Sequence, residues 1–189
     1  MKKTLYILVI GVILICFSTI TYAQSIKPEL SFDNETYYLK YSEISPMSDG
    51  YMNEYLRNDE TLDSWKQRVA VYHFPNLDSP LQAAKDLAIS LKQANPDTKF
   101  QLLENKKTGE TILDFFVVSK EEPVMHEYNV FRYSTEKGMD GLVAYQFAYR
   151  TYGQESFNTF KKAFKKNRPK WVNLIAKVKI PPVIEKPIN

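Results

Sequence analysis

Apolar and polar positions alternate with a period of two through most of the chain and switch to the helical period in two places. Tyr37, Leu39 and Tyr41 alternate with Tyr38, Lys40 and Ser42 over residues 37–44, which predicts a strand with one apolar face. Ser45-Pro46-Met47-Ser48-Asp49-Gly50 supplies turn chemistry, and residues 51–57 read as the next strand. Thr61 or Asp63 caps a short helical turn through Trp65, after which Arg68 to Phe74 has the branched and aromatic content of a strand.

Ser79-Pro80 is a helix start, because Ser caps the free backbone amides and Pro lacks an N–H at the position where none is needed. The helix runs to about Ala94, before Asn95-Pro96. It buries Leu81, Ala84, Leu87, Ala88 and Leu91, and leaves Lys85, Asp86 and Lys92 in water. Strands follow at 99–104, 111–119, 125–134 and 142–152, and their short connections predict antiparallel hairpins. Thr111 to Val118 is apolar on both faces except at Asp114, the pattern of a central strand. Leu142 to Tyr152 sets Val143, Tyr145, Phe147 and Tyr149 against Leu142, Ala144, Gln146 and Ala148, whose small side chains leave room for a helix. Gln154 to Lys166 is a helix with Phe157, Phe160, Ala163 and Phe164 along one stripe. Pro169 interrupts it, and Trp171, Leu174, Ile175 and Val178 form a second helical segment that Pro181-Pro182 ends. The expected fold is α+β: a mostly antiparallel sheet of about six to seven strands carrying one central helix and one or two C-terminal helices.

This order of elements, across most of residues 31–178, resembles the Mog1/PsbP-like α/β/α sandwich. The segment Asn53-Glu54-Tyr55-Leu56-Arg57-Asn58-Asp59-Glu60-Thr61-Leu62-Asp63-Ser64-Trp65 is also similar to an acidic stretch before Trp in small exported bacterial proteins of unknown function. The resemblance implies a non-enzymatic binding or assembly module and assigns no catalytic residue.

The start of the chain follows a different logic. Lys2 and Lys3 precede an apolar run from Leu5 to Phe17, then Ser18, Thr19 and Thr21-Tyr22-Ala23, the pattern of a signal peptide cut after Ala23. The competing reading is a retained anchor, in which Ile20 and Tyr22 extend the run toward the roughly 20 residues that a bilayer needs. The expected organisation is a leader at 1–23, one domain at 24–180 and a frayed tail at 181–189, exported to the periplasm or the exterior. Cleavage removes Cys16, the single cysteine, and with it all disulfide and thiolate chemistry.

Charge is uneven. Residues 157–189 hold nine basic residues against Glu185 alone, whereas residues 24–156 hold fourteen basic against twenty-one acidic. Such a split points to an anionic partner or to attraction within the molecule.

Candidate chemistry is sparse. His73 and His126 are the two imidazoles, and a metal site would need them to converge with Glu54, Asp114 or Glu127; separate structural roles are the favoured reading. Asp114 is read as the partner of Arg132 or Lys99 in preference to a catalytic carboxylate. There is no Gly-x-Ser-x-Gly and no glycine-rich phosphate loop. Tyr37, Tyr41, Tyr145 and Tyr149 either line a groove for sugar rings or peptides or belong to the core. Lys161, Lys162, Lys165 and Lys166 lie opposite the Phe157-Phe160-Phe164 stripe and, with Tyr145 and Tyr149, are the candidate partner-binding residues. The expectation is a non-enzymatic module without cofactor or metal. Its partner would be a protein or envelope component, an anionic membrane surface included, and export disfavours nucleic acid. The competing class is a small exported hydrolase using a His and a carboxylate.

Overall fold

A computed structural model of the chain describes residues 28–44, 50–119, 123–153 and 156–185. The leader at 1–23 and most of the turn at 45–50 lie outside the described residues. Eight strands form one sheet: β1 (Glu29–Phe32), β2 (Glu35–Ile44), β3 (Tyr51–Leu56), β4 (Gln67–Phe74), β5 (Phe100–Glu104), β6 (Thr111–Val118), β7 (Met125–Ser134) and β8 (Leu142–Tyr152). Two helices accompany them, α1 (Pro80–Ala94) between β4 and β5, and α2 (Ser156–Lys177) after β8. The strand order is β1-β2-β3-β4-β8-β7-β6-β5, with every neighbouring pair antiparallel. The passage through α1 thus carries the chain from the middle of the sheet to its far edge, and the second meander returns until β8 pairs with β4.

Eight strands replace the expected six to seven. The extra one is β1, whose four residues are too few to show an alternation. Asp33 and Asn34 join it to β2 with φ of 54° and 65°, the left-handed pair of a two-residue hairpin turn, which Asp and Asn tolerate better than most side chains. Residues 61–65 form bends, not a helical turn, because Trp65 is drawn back onto the sheet. Its ring, 2 % exposed, lies 3.8 Å from the Arg150 guanidinium and 4.7 Å from that of Arg68. Strand β6 is next to an edge, not central. Its two apolar faces are explained by a helix on each side.

The two helices take opposite faces of the sheet. Ala84 and Ala88 of α1 pack with Leu113, Phe115, Phe131, Tyr133 and Ala144, and the alanines at both helix and strand let the backbones approach. Ser79 caps α1 by accepting from the Gln82 amide. On the other face, Phe160, Trp171 and Ile175 of α2 pack with Tyr128, Val130, Tyr145 and Phe147, while Phe32, Tyr37, Leu39 and Tyr55 extend the same core toward β1.

Helix α2 is continuous through Pro169, where two segments were expected. Phe160, Phe164, Trp171 and Ile175 fall at steps of four, seven and four, one stripe on a single helix. Its burial outweighs the one hydrogen bond that proline removes. Pro169 and Lys165 are both exposed, so water can reach the carbonyl left free four residues back. The acidic sheet and the basic helix also meet directly: Arg168 pairs with Asp114, and Lys170 with Asp33.

The expected frayed tail is docked as far as it is described. Val178, Ile180, Val183 and Ile184 pack on the α2-side core, and Ile184 is held by the buried Asn53 side chain. Among the described residues, no helix is long and apolar enough to cross a membrane.

Candidate functional site

Beyond Phe100, strand β5 ends while β6 runs on, so the edge of the sheet is stepped. Phe115 and Phe116, adjacent on β6, send one ring to each face. On the α2 side Phe116 meets Phe160 at a ring-centroid separation of 5.1 Å, and Phe160 is followed one turn later by Phe164. The first half of α2 overhangs this step. The result is a cleft of about 870 Å³ lined by Phe100, Phe115, Phe116, Phe157, Phe160 and Phe164. Its size is that of a small-molecule site, for which roughly 300–1,000 Å³ is usual.

One polar cluster stands in this aromatic lining. Asp114, 5 % exposed, accepts from Arg168 at 2.7 and 3.0 Å and from the Tyr128 hydroxyl at 3.1 Å. Arg168 also donates to Gln101 on β5, so its guanidinium ties the overhanging helix to the edge strand. Burial, and then the charge of Asp114, push the Tyr128 phenol far above its ordinary range, which keeps it a neutral donor. The partner of Asp114 is therefore Arg168, and not Arg132 or Lys99. Arg132 instead donates to the carbonyls of Ala176 and Val178 at 3.0 and 2.6 Å, closing the C-terminal end of α2.

The remaining charges of the cleft are all positive. Lys92 from α1, Lys99 before β5 and Lys161 from α2 join Arg168 in the lining, against Asp114 alone. With Asp114 paired to Arg168, Lys92, Lys99 and Lys161 line the cleft with no carboxylate in the lining to match them, and Lys92 donates to the Pro96 carbonyl at 2.7 Å.

The predicted lysine cluster divides around the helix. At about 100° per residue, Lys161 lies beside Phe157 and Phe164 on the cleft side, whereas Lys162 and Lys166 fall on the far side and Lys165 between them. All four are exposed. Tyr145 is 1 % exposed beneath α2 and belongs to the core, while Tyr149, partly buried, packs against that core with its ring stacked on Phe160 and tilted against Trp171. Tyr37 is likewise buried and donates to Gln67 at 2.7 Å.

The two imidazoles do not converge. His73 on β4 is in register with Val143, and Val143 with Ser134, which is eight positions along β7 from His126. That is roughly 26 Å along the strands. His73 meets the Asp140 carbonyl at 2.8 Å. His126 is 4 % exposed among Phe116, Phe157 and Phe160, with its two ring nitrogens unpartnered among the described residues, and this burial lowers its pKa. No group of His, Asp and Glu among the described residues is disposed to hold a metal ion.

A second polar assembly lies on the α1 side of the sheet. Tyr72 donates to Gln146, Gln146 to Asn129 and Asn129 to Glu127, at 2.6, 2.6 and 2.8 Å, and Arg150 completes the chain by donating to Glu127 at 2.6 Å. Burial pushes the Tyr72 phenol up to about 12. These groups satisfy one another across three strands, which makes the row a structural tie.

A family model matches residues 24–180. The chain belongs to that uncharacterized family. The match spans the whole sheet, both helices and therefore every residue lining the cleft. No curated protein matches the chain.

Of the residues lining the cleft, sequence reasoning singled out Lys161 as a candidate but did not bring Phe100, Phe115, Phe116, Lys92, Lys99 and Arg168 together with it. The available signal was Phe115-Phe116: two large rings in succession require cover on both faces of a strand.

Proposed function

We propose that the protein is an exported binding module that takes an amphipathic anion, an apolar body bearing one acidic head, in the cleft between α2 and the β5–β6 edge. The observation that carries this reading is the pairing of a six-phenylalanine lining with three lysines that have no carboxylate partner in it. The apolar body is desolvated against the rings, and the head stays at the rim, where Lys92, Lys99 and Lys161 hold it. Fatty acids and anionic lysophospholipids share this chemistry. Export rests on the Lys2-Lys3 start and the apolar run ending in Thr21-Tyr22-Ala23.

Binding is favoured over hydrolysis by the state of the polar groups. Asp114 is engaged by Arg168 and Tyr128, and His126 lies apart from any carboxylate hydrogen bond. The Mog1/PsbP-like resemblance, which implies a binding or assembly role, supports the same choice.

Calorimetric titration with palmitate tests the reading. One-site binding is expected, weakened at least about tenfold in the Lys99→Glu/Lys161→Glu double variant. Absence of binding, or equal binding of the uncharged hexadecanol, would overturn it.

A further inference from the structure

Nine large hydrophobic side chains are exposed among the described residues, and five of them, Ile89, Phe100, Leu103, Val118 and Phe157, gather around β5 and the step beside it. On α1, Lys85, Ile89 and Lys92 follow at four and three residues and form one outward stripe. A second, shallower cleft of about 410 Å³ runs beneath this stripe between α1 and β5, and it shares Lys92 and Phe100 with the larger one. The two clefts are thus one continuous apolar band along the edge of the molecule. Together they are lined by Lys85, Lys92, Lys99, Lys161 and Arg168, against the single carboxylate of Asp114. The other carboxylates along this edge are Asp86, Asp97, Glu104 and Glu110. Of these, Glu104 is paired with Lys106 and Glu110 lies 3.9 Å from Arg132, whereas Asp86, which accepts from the neutral Gln82 side chain, and Asp97 keep their charge; Lys85, Lys92, Lys99 and Lys161 outnumber these two.

We infer that this edge docks on an anionic membrane surface, so that the cleft opens where its ligand resides. The inference rests on the reading of the cleft given above and adds the source of the ligand. An apolar band ringed by lysines matches a lipid interface in both respects: Ile89 and Phe100, with Leu103 beside them on the other face of the edge strand, enter the headgroup boundary, and the ammonium groups meet phosphates. Lysines near such a surface are drawn to it, and the attraction falls off within a Debye length. The docking face differs from the lysine-rich back of α2, because Lys162 and Lys166 have no exposed apolar neighbour to insert.

Sedimentation with phosphatidylcholine vesicles, with and without about one third phosphatidylglycerol, tests the docking. The protein is expected to sediment with the anionic vesicles alone and to be released by high salt. Ile89→Asp and Leu103→Asp, both at half-exposed or more open positions, should each weaken vesicle binding at least about tenfold while leaving thermal unfolding and palmitate titration unchanged. Lys162→Glu/Lys166→Glu should have the smaller effect. Palmitate binding without vesicle binding would overturn the docking and leave the cleft reading intact. Vesicle binding without palmitate binding would do the reverse. A dimer that Leu103→Asp dissociates in the ultracentrifuge would overturn the docking by assigning the edge to a second copy of the chain.

Discussion

The Asn53 carboxamide grips the backbone of Ile184 at both ends: its oxygen accepts from the Ile184 amide at 2.6 Å and its nitrogen donates to the Ile184 carbonyl at 3.0 Å. Asn53 is fully buried, and its nitrogen also lies 2.9 Å from the Ser42 hydroxyl, which itself donates to the same carbonyl at 3.1 Å. One side chain on β3 therefore imitates a strand partner for a segment 131 residues later. Through it, Val183 and Ile184 are held against the same core that α2 covers.

Asn53→Ala leaves two backbone groups and the Ser42 hydroxyl without this partner. The expected loss of stability is about 1–3 kcal/mol, read as a lowered urea midpoint with unchanged slope. A chain ending at Lys179 should lose at least as much, since it also uncovers apolar surface. If both changes leave the midpoint unmoved, the tail contributes nothing.

What could be read from the sequence divides along the range of the interactions. Ser79-Pro80 and the stripe from Leu81 to Leu91 define α1 locally, alternation over eight or more residues is enough to show β2 and β8, and a continuous apolar run shows β6. Strand β1 has four residues and only the Asp33-Asn34 turn to announce it. Pro169 outweighed the Phe164-to-Trp171 spacing in the sequence reading, but local propensity yields to a buried aromatic stripe in the fold. The cleft was the least legible feature, because Phe116, Phe160 and Arg168 meet only once β8 has turned back on β4. Asp114 in turn had Arg132 near it in the sheet, yet takes Arg168, 54 residues away.

Pro169→Ala restores an amide to a helix whose two halves already share one axis. Stability should rise, by up to the ~3 kcal/mol that a mid-helix proline costs, and palmitate binding should be unaffected. A fall in stability on chemical denaturation would show that the proline shapes α2 against the sheet.

Arg168→Met leaves the Asp114 carboxylate buried beside Tyr128 with no counter-charge. Removing one partner of a fully buried pair costs about 3–5 kcal/mol; here the arginine side chain is 26 % exposed, so about 2–3 kcal/mol is expected. Adding Asp114→Asn should recover at least half of it. The comparison of the two unfolding curves checks this, and a double variant no more stable than the single one would contradict it.

His126 links stability to pH. Its burial among aromatic rings lowers its pKa in the fold, whereas the unfolded imidazole takes up a proton near pH 6.5. As pH falls through that value the unfolded state binds more protons than the folded one, so stability declines until the lowered folded pKa is reached. The slope from this group is at most about 1.4 kcal/mol per pH unit. Urea midpoints at about pH 7.5 and about pH 5.5 should therefore differ, and His126→Phe should reduce the difference and raise stability at the lower pH. Equal pH dependence in both proteins would remove His126 from the account.

Photolabelling with a diazirine-bearing palmitate, followed by peptide mapping, asks directly whether the cleft receives an amphipathic anion. Adducts should fall at Lys92, at Tyr128 or within residues 98–101, 114–116 and 157–168, which together line the cleft, and unlabelled palmitate should suppress them. Adducts confined to other parts of the sheet, or labelling that palmitate does not suppress, would contradict the assignment of this cleft as the binding site.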